Sequence, residues 1–571
     1  MPAEAAPMTT PGLEKWWRDA VIYQIYPRSW ADSDGDGIGD LPGITARLDH
    51  LSSLGVDAVW LSPFYRSPQN DAGYDISDHC DVDPIFGNLA DADHLLDKAH
   101  GLGLRVIVDL VPNHSSDQHP WFQEALTSAP GSPERARYLF RDGRGESGEL
   151  PPNNWPSNFG GSAWTRVTDN EGHPGQWYLH LFDATQPDFD WTNTEVEAQM
   201  ESVIRFWLDR GVDGFRIDVA HGLVKAEGLP DAPDNHDASY ADTSLQPMWD
   251  QPGVHEIYRR WRVIVDEYSA KAEGPDGDRI LCAEAWVSPA QALARYVRSD
   301  ELHQSFNFGF LMTAWLAPAF RRIISESLDA VEAVGAPQTW VLSNHDVVRH
   351  ATRLAYPQVD GDSPSGGIGI DDPQPDAALG LRRARAATTV MLALPGSAYL
   401  FQGEELGLPE ATRLPDDSRQ DPTWERSAHT IRGRDGCRVP VPWSGTEPSY
   451  GFGPAGASWL PQPGEWAGLA AEQQIGRPEA TLGLYRGLLH LRREFRLGRG
   501  TLTWLDGWAD DVLAFAISTP QGREISVIAN LDSEPVQLPE GAIVLAASEH
   551  LTPGFPVPTD VTVWIETARM R

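Results

Sequence analysis

Eight short runs rich in β-branched residues, each followed by a helical pattern, constrain this 571-residue chain more than any other feature. They are Val21–Tyr26, Ala58–Ser62, Arg105–Leu110, Gly214–Asp218, Ile280–Glu284, His303–Asn307, Trp340–Ser343 and Ala398–Gln402. The third and fourth are apolar almost throughout, as expected of parallel strands covered on both faces. The clearest helix opens at Thr194, which with Glu197 reads as a capping box. Val196, Met200, Val203, Ile204, Trp207 and Leu208 then recur at helical spacing, and Gly211 ends the run. Eight such units predict an α/β fold, a (β/α)8 barrel.

Two intervals are too long for ordinary connections. Residues 115–191, rich in Gly, Pro, Asn and Trp, predict a domain inserted after the third strand. Residues 404–479 predict a long loop or subdomain after the eighth. Both follow the C-terminal ends of strands, where barrel enzymes build their sites. Residues 1–114 and 192–500 then form the barrel. From 501 to 571 short strands occur without helices, which predicts a C-terminal antiparallel β domain, expected as a sandwich.

Composition narrows the function. Lys+Arg is 45 against 82 Asp+Glu, a net charge of −37. Such a surface repels nucleic acid and anionic membranes and suits a neutral substrate or a metal cation. Cys80, Cys282 and Cys437 are too few and too scattered for a disulfide framework or a zinc site. They fit a reducing, cytoplasmic compartment. The first residues show no cationic segment followed by an apolar one, so no signal peptide is expected. The most apolar stretch, 386–401, is broken by Pro395 and Gly396, so no membrane span is expected. A monomer or homodimer is anticipated.

Polar residues close otherwise apolar strands. Asp109, Asn113 and His114 end the third unit, Arg216 and Asp218 the fourth, Glu284 the fifth, and His345 and Asp346 the seventh. One charge beside a barrel core reads as a structural ion pair. Four successive sites on one rim read as chemistry. Several carboxylates, two histidines and an arginine, without a cysteine nucleophile or phosphate loop, suit glycoside hydrolysis. A retaining glycosidase needs an ionised carboxylate and a protonated one about 5 Å away. A third carboxylate raises the acid's pKa by repulsion. An arginine two residues before the nucleophile shares its strand face and keeps it ionised.

The loop DSDGDGIGD, Asp32–Asp40, places Asp32, Asp34 and Asp36 at alternate positions before Gly37. This imitates half an EF-hand, but the twelfth position is Gly43 and no helix precedes it. It reads as a loop that wraps a hard cation. His79, His94, His221 and His350 need no role beyond packing or surface.

DLVPNH (109–114), GFRIDVAH (214–221), AEAW (283–286) and SNHD (343–346) resemble, in order and spacing, the signature regions of the α-amylase family, glycoside hydrolase family 13. QPDFDW (186–191) resembles a fifth region. The opening VIYQIYPRSWADSDGDGIGDLPGI and GRDGCRVPVPW (433–443) resemble the oligo-1,6-glucosidase and α-glucosidase branch. The resemblance implies Asp218 as nucleophile, Glu284 as acid/base and Asp346 as the carboxylate on the 2- and 3-hydroxyls. Arg216 steers Asp218, and His114 and His345 bond sugar hydroxyls. Tyr74 stacks on the sugar, Asp75 and Arg434 close the pocket at the 4-hydroxyl, and Phe182 lines it. Arg438 competes for the role of Arg434. Asp109 and Asn113 support loops. A structural Ca2+, or Mg2+, is implied on Asp32, Asp34, Asp36, the Ile38 carbonyl and Asp40, with no organic cofactor.

The short insertion and the GYD and GRD elements imply an exo-acting pocket for one terminal glucose of a small oligosaccharide. Val219 favours α-1,6 substrates. Phe189, Asp190 and the continuation Ala220-His221-Gly222 favour an α-1,4 maltase-like α-glucosidase, the expectation adopted. The alternatives are an isomaltase, a transglucosylase or isomerase such as trehalose synthase, and a non-catalytic carbohydrate-binding relative. The last is disfavoured because all three carboxylates are present.

Overall fold

The computed structural model describes residues 15–168, 172–233, 246–272, 277–359, 366–531, 534–552 and 554–567. Eight parallel strands form the centre: β1 (Val21–Ile25), β2 (Ala58–Leu61), β3 (Arg105–Leu110), β4 (Gly214–Ile217), β5 (Ile280–Ala283), β6 (Gln304–Ser305), β7 (Thr339–Val341) and β8 (Ser397–Phe401). They lie in the order 6-5-4-3-2-1-8-7. The ladder stops between β6 and β7, where a bond from the Asn307 N–H to the Thr339 carbonyl, 3.0 Å, spans the gap. Strand β6 keeps only two of its five expected residues, because only Gln304 and Ser305 find register partners on β5. The helices that surround the barrel include α1 (Leu41–Leu54), α2 (Leu89–Gly101), α3 (Thr194–Arg210), α4 (Val254–Lys271), α5 (Ala290–Ala294), α6 (Ala317–Glu332), α7 (Ala377–Met391) and α8 (Thr481–Phe495).

Period-two alternation sorts the strand residues. Ile22, Trp60, Ile107, Cys282 and Tyr399 share a core cluster inside the barrel. Tyr23, Val59, Val108, Phe215 and Leu281 join the larger cluster with the helices. Asp109 and Arg216 are register partners, as are Arg216 and Cys282. The charges therefore sit on the inner face, next to a small thiol that leaves them room.

Helix α3 buries the six apolar residues expected of it, and Gly211 closes it at φ 103°. Its cap differs: the Asn193 side chain accepts the Glu195 N–H, and Thr194 is already the first helical residue. Asn193 lies one position nearer the turn and takes the bond first.

The insertion after β3 carries a helix, Pro120–Thr127, and a three-stranded antiparallel sheet in the order Phe140–Arg141, Pro174–Leu179, Trp164–Thr168. The segment after β8 is built of short turns and folds back on the loop after β1. Trp459 donates its N–H to Gly37, and Asp32 donates its own to Phe452, both at 2.9 Å.

The C-terminal strands are β9 (Thr501–Trp504), β10 (Val512–Ser518), β11 (Glu524–Asn530), β12 (Ala542–Ala547) and β13 (Val561–Thr567). Among the described residues they make one antiparallel sheet, 9-10-11-13-12, and no second sheet faces it as a sandwich requires. Leu513, Phe515, Ile517 and Trp564 turn toward the barrel core. Val512, Ala514, Ile528 and Val563 turn the other way, under a loop held by the Val536–Val557 bridge. No helix among the described residues is long and apolar enough to cross a membrane.

Candidate active site

The rim at the C-terminal ends of β3, β4, β5 and β7 gathers the predicted carboxylates. Asp218 and Glu284 stand one residue beyond β4 and β5. Arg216 Nη1 lies 2.6 Å from Asp218 Oδ1 and 2.7 Å from Asp109 Oδ1. Its Nη2 is 3.6 Å from Glu284 Oε2. The same Glu284 oxygen accepts the Val219 N–H at 2.7 Å. Val219 turns that N–H inward at φ 45°, a strained conformation for a β-branched residue, directly after Asp218.

Burial raises the carboxyls of both Asp218 and Glu284, and Arg216 opposes the rise in both. The guanidinium is a full ångström closer to Asp218, so the ion pair favours charge there more strongly than on Glu284. The negative charge of Asp346 pushes Glu284 further up. Asp109 is not a loop support. It lies wholly buried on the inner face and accepts from Trp60 Nε1 and the Tyr74 hydroxyl as well as from Arg216.

Asp346 receives Arg434 Nη1 at 3.1 Å and Arg438 Nη2 at 3.2 Å on Oδ1, with His345 Nε2 3.4 Å from Oδ2. Burial pushes its carboxyl up, but the charges of Arg434 and Arg438 outweigh that and hold it well below the usual carboxylate range. The two arginines therefore share Asp346, and Arg438 also clamps the His345 carbonyl. Burial lowers His114 to about 4 and His345 well below its ordinary value, so both rings are neutral near pH 7. Tyr74 stacks on His345 with ring centroids 5.2 Å apart. Phe182 is half-buried between His114 and Phe159, at 5.2 and 5.7 Å.

Asp75 departs from its expected role. Its oxygens accept the Ser67 hydroxyl and the N–H groups of Asn70 and Asp71, so the carboxylate closes a turn instead of facing the sugar's 4-hydroxyl edge beside Arg434. The acid on Arg434 is Asp71, 2.7 Å from Nη2, and its other oxygen accepts from Gln186. A second unforeseen acid, Asp421, takes the Arg434 Nε and backbone N–H. Both lie in segments that read as turns: Asp71 in an Asn-Asp-Ala-Gly stretch, Asp421 before a helix-starting proline. Lys225 was also missed. It is buried and ties Asn113, at the end of β3, to Asp188 of the insertion, both at 2.8 Å.

In the acidic loop, Asp32, Asp34 and Asp40 each offer an oxygen, all within 4.8 Å of one another. Asp36 stands outside that group, and its carboxylate accepts the Ile38 N–H. Asp40 also caps α1 through the Gly43 N–H. Three converging carboxylates fit a hard divalent cation.

The family described as "Alpha amylase, catalytic domain" matches residues 24–498. A probable alpha-glucosidase of Rhizobium meliloti (strain 1021) is 39% identical over 501 residues, covering 84% of this chain and 82% of the relative. The oligo-1,6-glucosidase of Parageobacillus thermoglucosidasius is 34% identical over 510 residues, covering 84% of each. Among solved structures, the alpha-glucosyl transfer enzyme XgtA superposes with TM-score 0.81 at 36% identity, covering 97% of this chain and 99% of its own. The trehalulose synthase of Pseudomonas mesoacidophila MX-45 does so with TM-score 0.79 at 30% identity, covering 99% and 100%.

Proposed function

This chain belongs to the alpha-amylase family, and on that premise we propose that it is a retaining, exo-acting α-glucosidase that releases terminal glucose from short maltose-type α-1,4 glucosides. The observation that carries the reading is the unequal grip of one guanidinium, tight on Asp218 and loose on Glu284. The Asp218 carboxylate attacks the anomeric carbon as Glu284 gives its proton to the departing glycosidic oxygen. The carbon–oxygen bond breaks and a glucosyl-aspartate forms. Glu284, now a carboxylate, takes a proton from water, which attacks the same carbon and frees Asp218. Two inversions return the α configuration. Arg434, held by Asp71, Asp346 and Asp421, closes the pocket over a single sugar ring. His114, His345, Tyr74 and Phe182 line it.

Relatives named alpha-glucosidase and maltase support the substrate class. The likeness to a glucosyl transfer enzyme and a trehalulose synthase supports a second reading, in which a sugar instead of water attacks the intermediate. A structural calcium on Asp32, Asp34 and Asp40 is part of the proposal and takes no part in the bond cleavage. Three free cysteines support a reducing, cytoplasmic setting.

Initial rates on maltose, isomaltose, sucrose, trehalose and maltotriose, with products followed by NMR, test the proposal. The expected result is fastest release of α-glucose from maltose or maltotriose. Initial release of β-glucose would overturn the retaining mechanism, and faster isomaltose cleavage would overturn the linkage. Predominant oligosaccharide products at low substrate would favour the transfer reading.

A further inference from the structure

Helices α1, α2, α3 and α4 each run for three turns or more, but α5 has five residues. A cavity of about 330 Å³ lies beside it, walled by the loop after β5, by residues 305–312 and by α6. Its walls are largely apolar: Trp286, Leu293, Phe308, Met312, Ile323 and Val331. Trp286 stacks on Phe308 with centroids 4.1 Å apart, which makes a flat aromatic wall. That volume suits a small ligand.

One polar group in it is unexplained. The Gln304 side chain bonds the Trp17 carbonyl and the Tyr399 hydroxyl inside the barrel, so the next residue on β6 points outward. That residue is Ser305, which lines the cavity at 5% exposure. Its hydroxyl has no hydrogen-bond partner. Of the other polar side chains in the wall, Asn307 bonds Ser327, Gln338 accepts the Thr339 N–H, and Glu326 is exposed to solvent. A buried hydroxyl left unpaired is costly, and native structures avoid it.

We propose that this cavity binds a small apolar alcohol, aryl or alkyl, whose hydroxyl pairs with Ser305 while its hydrocarbon lies against Trp286 and Phe308. None of the residues assigned to the sugar lines this site, but Ala285 and Trp286 in its wall directly follow Glu284.

Calorimetric titration of the full chain with benzyl alcohol, and with toluene as its counterpart without a hydroxyl, tests the proposal. Binding of benzyl alcohol is expected to saturate with one site per chain. Ser305→Ala is expected to weaken benzyl alcohol about fivefold or more, the effect of leaving one buried hydroxyl unpaired, and to leave toluene unchanged. Leu293→Trp, which fills the cavity, is expected to abolish both. Non-saturating heats in the wild type would overturn the site. An unchanged ratio of the two affinities in Ser305→Ala would overturn the role of the hydroxyl. Ser305→Ala adds no volume, so it decides the matter even if the filled variant fails to fold.

Discussion

Asp218 and Glu284 are both buried carboxyls, parted by their distances from Arg216 and by the Val219 N–H that Glu284 alone accepts. Asp218→Ala is expected to lower kcat for maltose at least ~10³-fold, as loss of a nucleophile does in a concerted set; near-normal turnover would refute the assignment. The protonated form of Glu284 is the active one, and burial followed by the charge of Asp346 raises its pKa. Asp346→Asn removes that charge and lowers the pKa. The basic limb of the residual kcat/KM profile should therefore move to lower pH, and an unmoved limb would count against the coupling. Asp71 and Asp75 show how far the sequence could be read here. Both are acids in one turn, and only the fold reveals which carboxylate the backbone has consumed. Asp71→Ala should cost about 10- to 100-fold in kcat/KM, the effect of losing a charged hydrogen-bond partner, whereas Asp75→Ala should act mainly on thermal stability.

At the scale of elements, periodicity was a reliable guide and end chemistry less so. The apolar face of α3 was legible because six residues at helical spacing leave one solution. Its cap was not, since Asn193 and Thr194 are both good caps and adjacent. Asn193→Ala should cost about 1 kcal/mol and Thr194→Ala distinctly less, read by thermal melting. The alternating acids of the loop Asp32–Asp40 announced a cluster of carboxylates, and three of them converge. Which acids converge was not legible, because the glycine turns at φ 91° and 92° decide where each carboxylate points. Removing metal with EDTA should lower the melting temperature by several degrees, since the ion binds only the folded loop. An unchanged melt after EDTA, in protein first shown to carry metal, would remove the ion from the account.

The whole molecule follows the eight-fold alternation closely, because strands covered on both faces and helices with one apolar stripe admit few other packings. The C-terminal domain was harder. Its strands are apolar on both faces, which announces a cover but not its kind, and here a loop serves where a second sheet was expected. The net charge of −37 should matter little to a neutral sugar. The kcat/KM for maltose is expected to vary less than about twofold between low and moderate salt, because steering needs charge on both partners.

The lone backbone bond between β6 and β7 has a mechanical consequence. Asp218 and Glu284 are carried by strands joined along four consecutive register pairs, so their spacing is stiff. Asp346 stands in the loop after β7, across the open seam, and no strand pairing joins β7 to β6 there. Arg434 and Arg438, both delivered by the segment after β8, grip its carboxylate from the far side. The hoop is incomplete at that point, and the two guanidiniums act as its buckle.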